Sequence, residues 1–319
     1  MTSDEVKNIV SDAGRELISR GLAARTWGNI SCRVDGHTIA VTPSGMAYDL
    51  ITPDDIVLVD IYSGEVFGRH KPSSELLIHT ELYKYDCDVN AIIHTHQTFA
   101  TAIGLTGMDG LPKKTGIAGY ALPGTVELAN NVNRAFLNGF RTVLMPHHGA
   151  VFAGENMNAV FESAERFELF CSKVVACKTC ELKPDPAHLA AALRLARSEF
   201  KYCAAGTSKY ALAAAESCAP VPAQLDDAAM MFGDMIPAAP FEDILSALRR
   251  YGAVLIKGVG VICASDDESD AESKAVLAEK ACLCYLHTAA VGVSAKLDDN
   301  DIKELHESYI SSYSKRLRG

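Results

Sequence analysis

The sequence lacks an excess of positive charge, a long apolar run and the features of a secretory leader. It has 30 lysines and arginines against 40 aspartates and glutamates, a formal net charge of -10. This balance argues against a basic face for nucleic acid or an anionic membrane. No stretch reaches the roughly 18 consecutive apolar residues of a membrane-spanning helix, and the N-terminus is acidic. We therefore expect a cytoplasmic protein with a small-molecule partner, without nucleic acid or membrane partners.

A complete cysteine metal motif is also missing. Ten cysteines are scattered along 319 residues, and in a cytoplasmic protein we expect most of them to be reduced and buried. Cys177 and Cys180 have the spacing of half a zinc ribbon, but no second C-x-x-C accompanies them. Cys282 and Cys284, which are one residue apart, suit that role poorly. A structural zinc site at these cysteines is therefore not favoured.

Apolar periodicity indicates alternating helices and strands. The hydrophobic content of 48% is enough for a full-sized core in one large domain or two smaller ones. The pattern predicts helices over residues 73–85 and 126–137, and buried strands over 91–94 and 142–145. Such alternation is typical of a layered α/β domain.

An alanine-rich, proline-containing segment from about residue 204 to 240 suggests a connection between two regions. We therefore predict a first domain over residues 1–205, to which the motifs described below would give the catalytic role, a linker over 206–235 and a further region over 236–319.

The third of these regions contains a possible internal repeat. VLMPHHGAVFAG at 143–154 is similar to VLIKGVGVICAS at 254–265. Downstream, the same register pairs Ala164 with Ala275, Glu168 with Glu279 and Cys171 with Cys282. Chance similarity is the alternative. A true copy would be degenerate and non-catalytic, because Gly258 and Val259 replace the two histidines.

Histidines at the ends of two predicted strands form the strongest chemical signal. His94 and His96 follow an apolar run, and alternate residues of a strand point to one face, where two imidazoles can share a cation. The alternative is that one histidine is buried and the other exposed. His147-His148-Gly149 follows the next predicted strand and supplies candidates for a third ligand. Three histidines with an open position are the composition of a catalytic zinc site.

Small polar turns supply candidate anion sites. Lys71-Pro-Ser-Ser-Glu75 places hydroxyls, backbone N–H groups and a carboxylate at a helix start, although an ordinary helix cap would look the same. The turns Gly28-Asn-Ile-Ser31 and Thr42-Pro-Ser-Gly45 suit a phosphate without the lysine-bearing glycine-rich loop of nucleotide enzymes.

Taken in order, GNIS, TPSG, KPSSE, HTH, AGYALPGT and HHG resemble the class II aldolase and adducin superfamily, specifically its L-fuculose-1-phosphate aldolase branch, over about residues 5–180. The resemblance implies an α/β fold, a three-layer α/β/α sandwich with a central mixed, mainly antiparallel sheet. A smaller C-terminal α/β region would be additional. It also implies a homo-oligomer, a tetramer with active sites at subunit interfaces.

The resemblance further implies a role for individual residues. Zn²⁺, or Mn²⁺ or another divalent metal, would be held by His94, His96 and His148. Glu75 would ligate the resting metal and then act as acid/base, and Tyr120 would be a proton donor. His147 is not carried over as a ligand. The residues that match the phosphate pocket are Asn29, Ser44, Gly45, Ser73 and Ser74.

These roles imply an aldolase that cleaves a ketose 1-phosphate to dihydroxyacetone phosphate and an aldehyde through a metal-stabilised enediolate. Alternatives within the superfamily are a pentulose-phosphate 4-epimerase, which shares the Thr-Trp-Gly-Asn run at 26–29 but tends to have aspartate at position 75, and a sugar-phosphate dehydratase or decarboxylase. A non-catalytic adducin-like module would not need all three histidines and Glu75. An NAD-dependent oxidoreductase is disfavoured because Gly258 and Gly260 lack the third glycine and acidic residue of its fingerprint.

Overall fold

The computed structural model of the chain describes residues 1–24, 26–107, 111–176 and 181–313. Cys177 and Cys180 lie outside these ranges, and so does the half-motif that they form. The chain divides into two compact parts, unit 1 (Met1–Val174) and unit 2 (Val175 onward). Within the described ranges, every helix is too short or too polar to cross a membrane.

Helices and strands alternate through unit 1. The first helix begins at a capping box, in which the Thr2 hydroxyl accepts from the Glu5 N–H and the Glu5 carboxylate accepts from the Thr2 N–H. The described helices are α1 Ser3–Ser19, α2 Leu76–Tyr85, α3 Thr98–Gly104, α4 Val126–Leu137 and α5 Met157–Val174. The described strands are β1 Asn29–Arg33, β2 Thr38–Val41, β3 Val57–Asp60, β4 Val66–Phe67, β5 Ala91–Thr95, β6 Thr115–Ile117, β7 Thr142–Met145 and β8 Gly149–Gly154.

These strands form one mixed sheet in the order β4-β3-β2-β1-β5-β8-β7-β6. Neighbouring strands are antiparallel except for β6 and β7, which are parallel. Helices α2 and α4 pack together over an apolar core on one face of the sheet. Helices α1, α3 and α5 contact the strands from the other layer. The predicted three-layer α/β architecture with a mainly antiparallel sheet is thus confirmed.

The β7–β8 turn brings two strand ends close to each other. His147, within this turn, has a φ of +67°. Gly149 opens β8, and a Cβ atom at this position would lie 2.1 Å from the Thr95 carbonyl oxygen of β5. Only glycine allows this approach, because real Cβ atoms do not come so close to a backbone oxygen.

Unit 2 contains a smaller α/β arrangement. Its main sheet has the order β12-β13-β9, with both pairs antiparallel. The described helices are α6 Pro186–Ala196, α7 Lys209–Glu216, α8 Asp226–Phe232, α9 Ile244–Tyr251, α10 Glu268–Val291 and α11 Asp299–Ser308. The described strands are β9 Tyr202–Gly206, β10 Val221–Pro222, β11 Met235–Ile236, β12 Ala253–Ile256 and β13 Gly260–Ser265.

The observed division differs from the predicted domain bounds. The boundary falls at Val174 rather than at residue 205, so α6 and β9 belong to unit 2. The predicted linker, 206–235, contains α7 and α8. Its alanines are helix formers whose small side chains pack closely, and Ala211, Ala214 and Ala215 of α7 are buried. The composition that suggested a connection is therefore that of a packed helix.

Gly149→Ala should destabilise unit 1 by about 3 kcal/mol, because the new methyl group must displace the Thr95 carbonyl. Gly36→Ala is the matched control, since a Cβ atom there has nothing within 4 Å, and its effect should stay within about 0.5 kcal/mol. Urea unfolding followed by circular dichroism measures both. Equal stabilities for the two variants would contradict the close approach of β5 and β8.

Candidate metal centre

Three histidines from two strand ends converge at one point of unit 1. His94 lies in β5, His96 follows two residues later, and His148 ends the β7–β8 turn. The Nε2 atom of His94 is 3.0 Å from the Nε2 atom of His96 and 3.0 Å from that of His148. His94 and His148 are buried, and His96 is half-buried. The three predicted ligands are therefore brought together, with their ring nitrogens facing one another.

The protonation of His94 suits a metal ligand. Its Nδ1 atom is 3.0 Å from the Ala150 carbonyl oxygen of β8. A carbonyl can only accept, so Nδ1 carries the ring hydrogen and Nε2 presents a lone pair. Burial lowers the pKa of His94 well below its usual range, which keeps the ring neutral. Neutral imidazole is the form that binds a metal ion.

Glu75 supplies a fourth donor beside the histidines. It precedes α2, with Oε2 3.4 Å from His94 Nε2 and Oε1 3.3 Å from His148 Nε2. Oε1 is buried and has no well-aligned hydrogen-bond donor. Burial alone would raise the pKa of Glu75, but positive charge centred on the His94 and His148 rings lowers it below its usual range. A cation held by neutral rings would lower this pKa in the same way. The carboxylate lies beside the ring nitrogens of His94 and His148.

This donor set fits a divalent cation. Tetrahedral zinc holds nitrogen ligands at about 2.0–2.1 Å, which places two such nitrogens about 3.3 Å apart. The observed 3.0 Å between His94 Nε2 and each of its partners is a few tenths of an ångström shorter. Several acceptor atoms also converge here with too few hydrogens to pair them all, and a bound cation would satisfy these acceptors. The residues present thus fit a metal ion, with Glu75 at the remaining position.

The polar turns singled out in the sequence lie next to one another. Ile30 N–H donates to the Thr42 hydroxyl, and Thr42 N–H donates to the Ile30 carbonyl, which joins the GNIS and TPSG segments. Ser73 N–H donates to the Thr42 carbonyl at 3.1 Å, and Ser44 N–H donates to the Lys71 carbonyl at 2.9 Å. The TPSG and KPSSE segments are therefore paired side by side.

The five residues predicted for a phosphate pocket all belong to these joined segments. Asn29 and Ser73 are buried, Ser44 and Gly45 are half-buried, and Ser74 is exposed. The Ser73 hydroxyl accepts from the Glu75 N–H at 3.2 Å, which links the pocket residues to the carboxylate.

Tyr120 contacts His147, the neighbour of His148 in the chain. The two ring centroids are 4.9 Å apart and meet edge to face. His147 lies in the β7–β8 turn and has a left-handed backbone conformation. It is outside the group of three that could hold a metal.

Several residues around the centre were missed by sequence analysis. Trp27 stacks on His96, with ring centroids 6.2 Å apart. Ser31, His79 and Tyr83 form buried hydrogen bonds behind Glu75. The available signal was a shared spacing: Glu75, His79 and Tyr83 recur every fourth residue, which places polar groups on one helical face.

Unit 1 is similar to known proteins. Residues 8–175 match the profile of the class II aldolase and adducin N-terminal domain. A 5-deoxy-D-ribulose 1-phosphate aldolase of Bacillus thuringiensis serovar kurstaki is 34% identical over 173 residues, which are 50% of this chain and 79% of the relative. A 3-oxo-tetronate 4-phosphate decarboxylase of Haemophilus influenzae is 27% identical over 184 residues, 53% of this chain and 86% of the relative.

A solved L-fuculose 1-phosphate aldolase structure is also similar. It is 34% identical in sequence and superposes with a TM-score of 0.50 over 55% of this chain and 86% of the other. The similarity therefore includes both the sequence and the fold.

His148→Ala should lose the metal, whereas His147→Ala, the adjacent histidine, should keep it. The reason is that, of these two neighbours, His148 is the one whose Nε2 atom lies 3.0 Å from the Nε2 atom of His94. Metal content per chain after zinc loading, measured by mass spectrometry on folded protein, distinguishes the two. Equal metal content in both variants would contradict the assignment of the triad.

Proposed function

Since the chain belongs to the class II aldolase and adducin family, we propose that it is a metal-dependent aldolase that cleaves a ketose 1-phosphate to dihydroxyacetone phosphate and an aldehyde. The observation that carries this proposal is the position of the Glu75 carboxylate, which lies 3.3 Å from the ring nitrogen of His148 and 3.4 Å from that of His94. Similarity to an aldolase of a 1-phosphorylated ketose supports the substrate class.

The proposed metal is Zn²⁺, with Mn²⁺ or another divalent ion as alternatives. His94, His96 and His148 would hold it, and Glu75 would complete its shell at rest. When bound, the ion supplies a Lewis acid that stabilises negative charge on substrate oxygens as it develops.

Glu75 and Tyr120 would transfer the protons of the reaction. In the condensation direction, the Glu75 carboxylate takes a proton from the hydroxymethyl carbon of dihydroxyacetone phosphate, and the electron pair left there attacks the aldehyde carbon. Tyr120 gives its hydroxyl proton to the aldehyde oxygen, which becomes an alcohol. Cleavage is the reverse: Tyr120 recovers its proton, the carbon–carbon bond breaks, and Glu75 returns its proton to carbon.

The phosphate would be bound by the joined turns. Asn29, Ser44, Gly45, Ser73 and Ser74 offer amide and hydroxyl donors, which suit an anion without a lysine-bearing loop. Gly45 has a φ of +73°, a conformation that glycine adopts without strain. The proposed substrate is accordingly a small sugar phosphate rather than a nucleic acid or a membrane lipid.

A decarboxylase is the second candidate, because one relative with 27% identity has that activity. It would use the same metal centre to stabilise the charge left on carbon. Glu75, in place of the aspartate expected of the epimerases, favours carbon–carbon cleavage over epimerisation. The retained triad argues against a non-catalytic adducin-like module.

We further propose that unit 2 is a degenerate, non-catalytic copy of the end of unit 1. The β9–β13 pair matches Gly206 with Val261, and the β5–β8 pair matches Thr95 with Ala150, the same number of residues apart. A Cβ atom on Gly260 would lie 2.4 Å from the Gly206 carbonyl oxygen, which repeats the close approach of Gly149 in β8.

Two more features support the copy. Gly258 has a φ of +71° where His147 has +67°. Glu279 accepts from a backbone N–H that precedes α7, as Glu168 accepts from two at the start of α3. The positions that correspond to the ligands hold Ala205, Thr207 and Val259, none of which contributes an imidazole.

By family resemblance, we also propose that the chain forms a homotetramer and acts in the cytoplasm.

Zinc-loaded protein should release dihydroxyacetone phosphate from ketose 1-phosphates, including 5-deoxyribulose and fuculose 1-phosphates. Coupled reduction by glycerol-3-phosphate dehydrogenase measures the release, and EDTA-treated protein is the control. Absence of release from metal-replete protein, together with carbon dioxide formation from 3-oxo-tetronate 4-phosphate, would favour the decarboxylase.

Glu75→Gln should lower kcat by about 10²–10⁴-fold, because the amide cannot take or return the proton. Metal content should persist, since three imidazoles remain. Glu81→Gln is the matched control on the same helix, because Glu81 pairs with Lys84 away from the centre, and its kcat should be unchanged. Normal turnover by the Glu75 variant would overturn the acid/base assignment.

A further inference from the structure

Behind Glu75 runs a continuous chain of buried hydrogen bonds, here called the relay. Asn29 Nδ2 lies 2.8 Å from Glu75 Oε2, and His79 Nε2 lies 2.5 Å from Asn29 Oδ1. The Ser31 hydroxyl lies 2.6 Å from His79 Nδ1 and 2.9 Å from the Tyr83 hydroxyl. All five side chains are buried. The relay therefore connects the proposed acid/base to a tyrosine two helical turns away.

Two regular spacings build the relay. Glu75, His79 and Tyr83 are four residues apart at the start of and along α2, so their side chains lie on one face of that helix. Asn29 and Ser31 are alternate residues of β1 and share one face of the sheet. Helix α2 packs on the sheet so that Asn29 bridges Glu75 and His79, and Ser31 bridges His79 and Tyr83.

The directions of these bonds follow from the Asn29 amide, whose Nδ2 group donates to Glu75 Oε2 at 2.8 Å. The carboxyl oxygen is the acceptor in this contact. The Asn29 oxygen then faces His79, which must donate from Nε2. Nδ1 of that neutral ring is left as an acceptor for the Ser31 hydroxyl, whose oxygen accepts from Tyr83. Burial lowers the pKa of His79 to about 4, which agrees with a ring that carries a single hydrogen.

His79 is the member that fixes this order. Without a donor at Nε2, the Asn29 amide could rotate and place its oxygen against the carboxylate, where two acceptors would face each other in a buried site. Leaving a buried acceptor unpaired is costly, so the amide would not keep one orientation.

We propose that His79 is a positioning residue, which holds the Asn29 amide so that its NH₂ group faces Glu75 and the phosphate pocket. The proposal rests on the proposed function for the roles of Glu75 and the pocket. Of the two Asn29 hydrogens, one binds Glu75 and the other serves the substrate phosphate. The same amide thus links the orientation of the acid/base to that of the substrate.

Substitutions at His79 test the catalytic consequence. His79→Leu should lower kcat by about 10–100-fold, the size of effect typical when a partner behind an active-site group is removed. Its KM should change less than kcat, because the serine and glycine donors remain. His79→Gln, which can keep an N–H donor near the Nε2 position, should recover most of the loss. Thr80→Val, a neighbouring buried residue of α2 outside the relay, is the control and should match the unsubstituted protein.

Nitrogen-15 NMR of histidine-labelled, zinc-loaded protein gives a readout that does not need turnover. The His79 signal, assigned by its loss in His79→Gln, should show a neutral ring protonated at Nε2 with slow exchange of that hydrogen. Protonation at Nδ1, or rapid exchange between the two forms, would overturn the proposal even if the protein is an aldolase. The expected tautomer in a protein without aldolase activity would instead leave the relay standing and count against the proposed function.

If His79→Leu does not fold, Ser31→Ala replaces it. Removal of the hydroxyl that donates to Nδ1 should lower kcat and loosen the tautomer preference of His79. An unchanged kcat together with an unchanged tautomer would contradict the relay.

Discussion

Unit 1 depends on one constraint, which is that three imidazoles must face one another. The Nε2 atoms of His96 and His148 each lie 3.0 Å from the Nε2 atom of His94. The lone pair of His94 Nε2 faces both of the other Nε2 atoms, an arrangement that a cation held between the three rings would satisfy. The sheet tolerates the arrangement because β5 and β8 are paired along their length and Gly149 lets the strand ends approach. The Ala150 carbonyl then fixes the ring hydrogen of His94 on the far side.

The remaining structure of the site places a carboxylate and an anion pocket around that point. β1 pairs with β5, which sets Asn29 directly opposite His94. Helix α2 begins after Glu75 and carries His79 and Tyr83 over the same face. The candidate phosphate residues, the proposed acid/base and the candidate ligands therefore lie together in one part of the sheet. A substrate bound there beside the proposed metal ion would meet a proton acceptor and hydrogen-bond donors that suit an anion.

The sequence predicted the layered fold, and it predicted that His94 and His96 lie close together because alternate residues of a strand share one face. It failed where a pattern had two structural meanings. The alanine-rich segment was interpreted as a linker, but its small side chains pack in α7. The hydrogen bonds of the relay could not be predicted from the sequence, because each residue is ordinary for its helix or strand. They are paired by the packing of α2 on β1. The turn that points His147 at Tyr120 needs a left-handed residue that the sequence did not reveal.

The claim on which the whole account rests is that the three imidazoles hold the metal. Zinc K-edge X-ray absorption of the loaded protein measures this directly. We expect three nitrogen ligands at about 2.0–2.1 Å, with oxygen as the remaining ligand and no sulfur. Sulfur at about 2.3 Å would place the metal on cysteines such as Cys177 and Cys180 and would contradict the account.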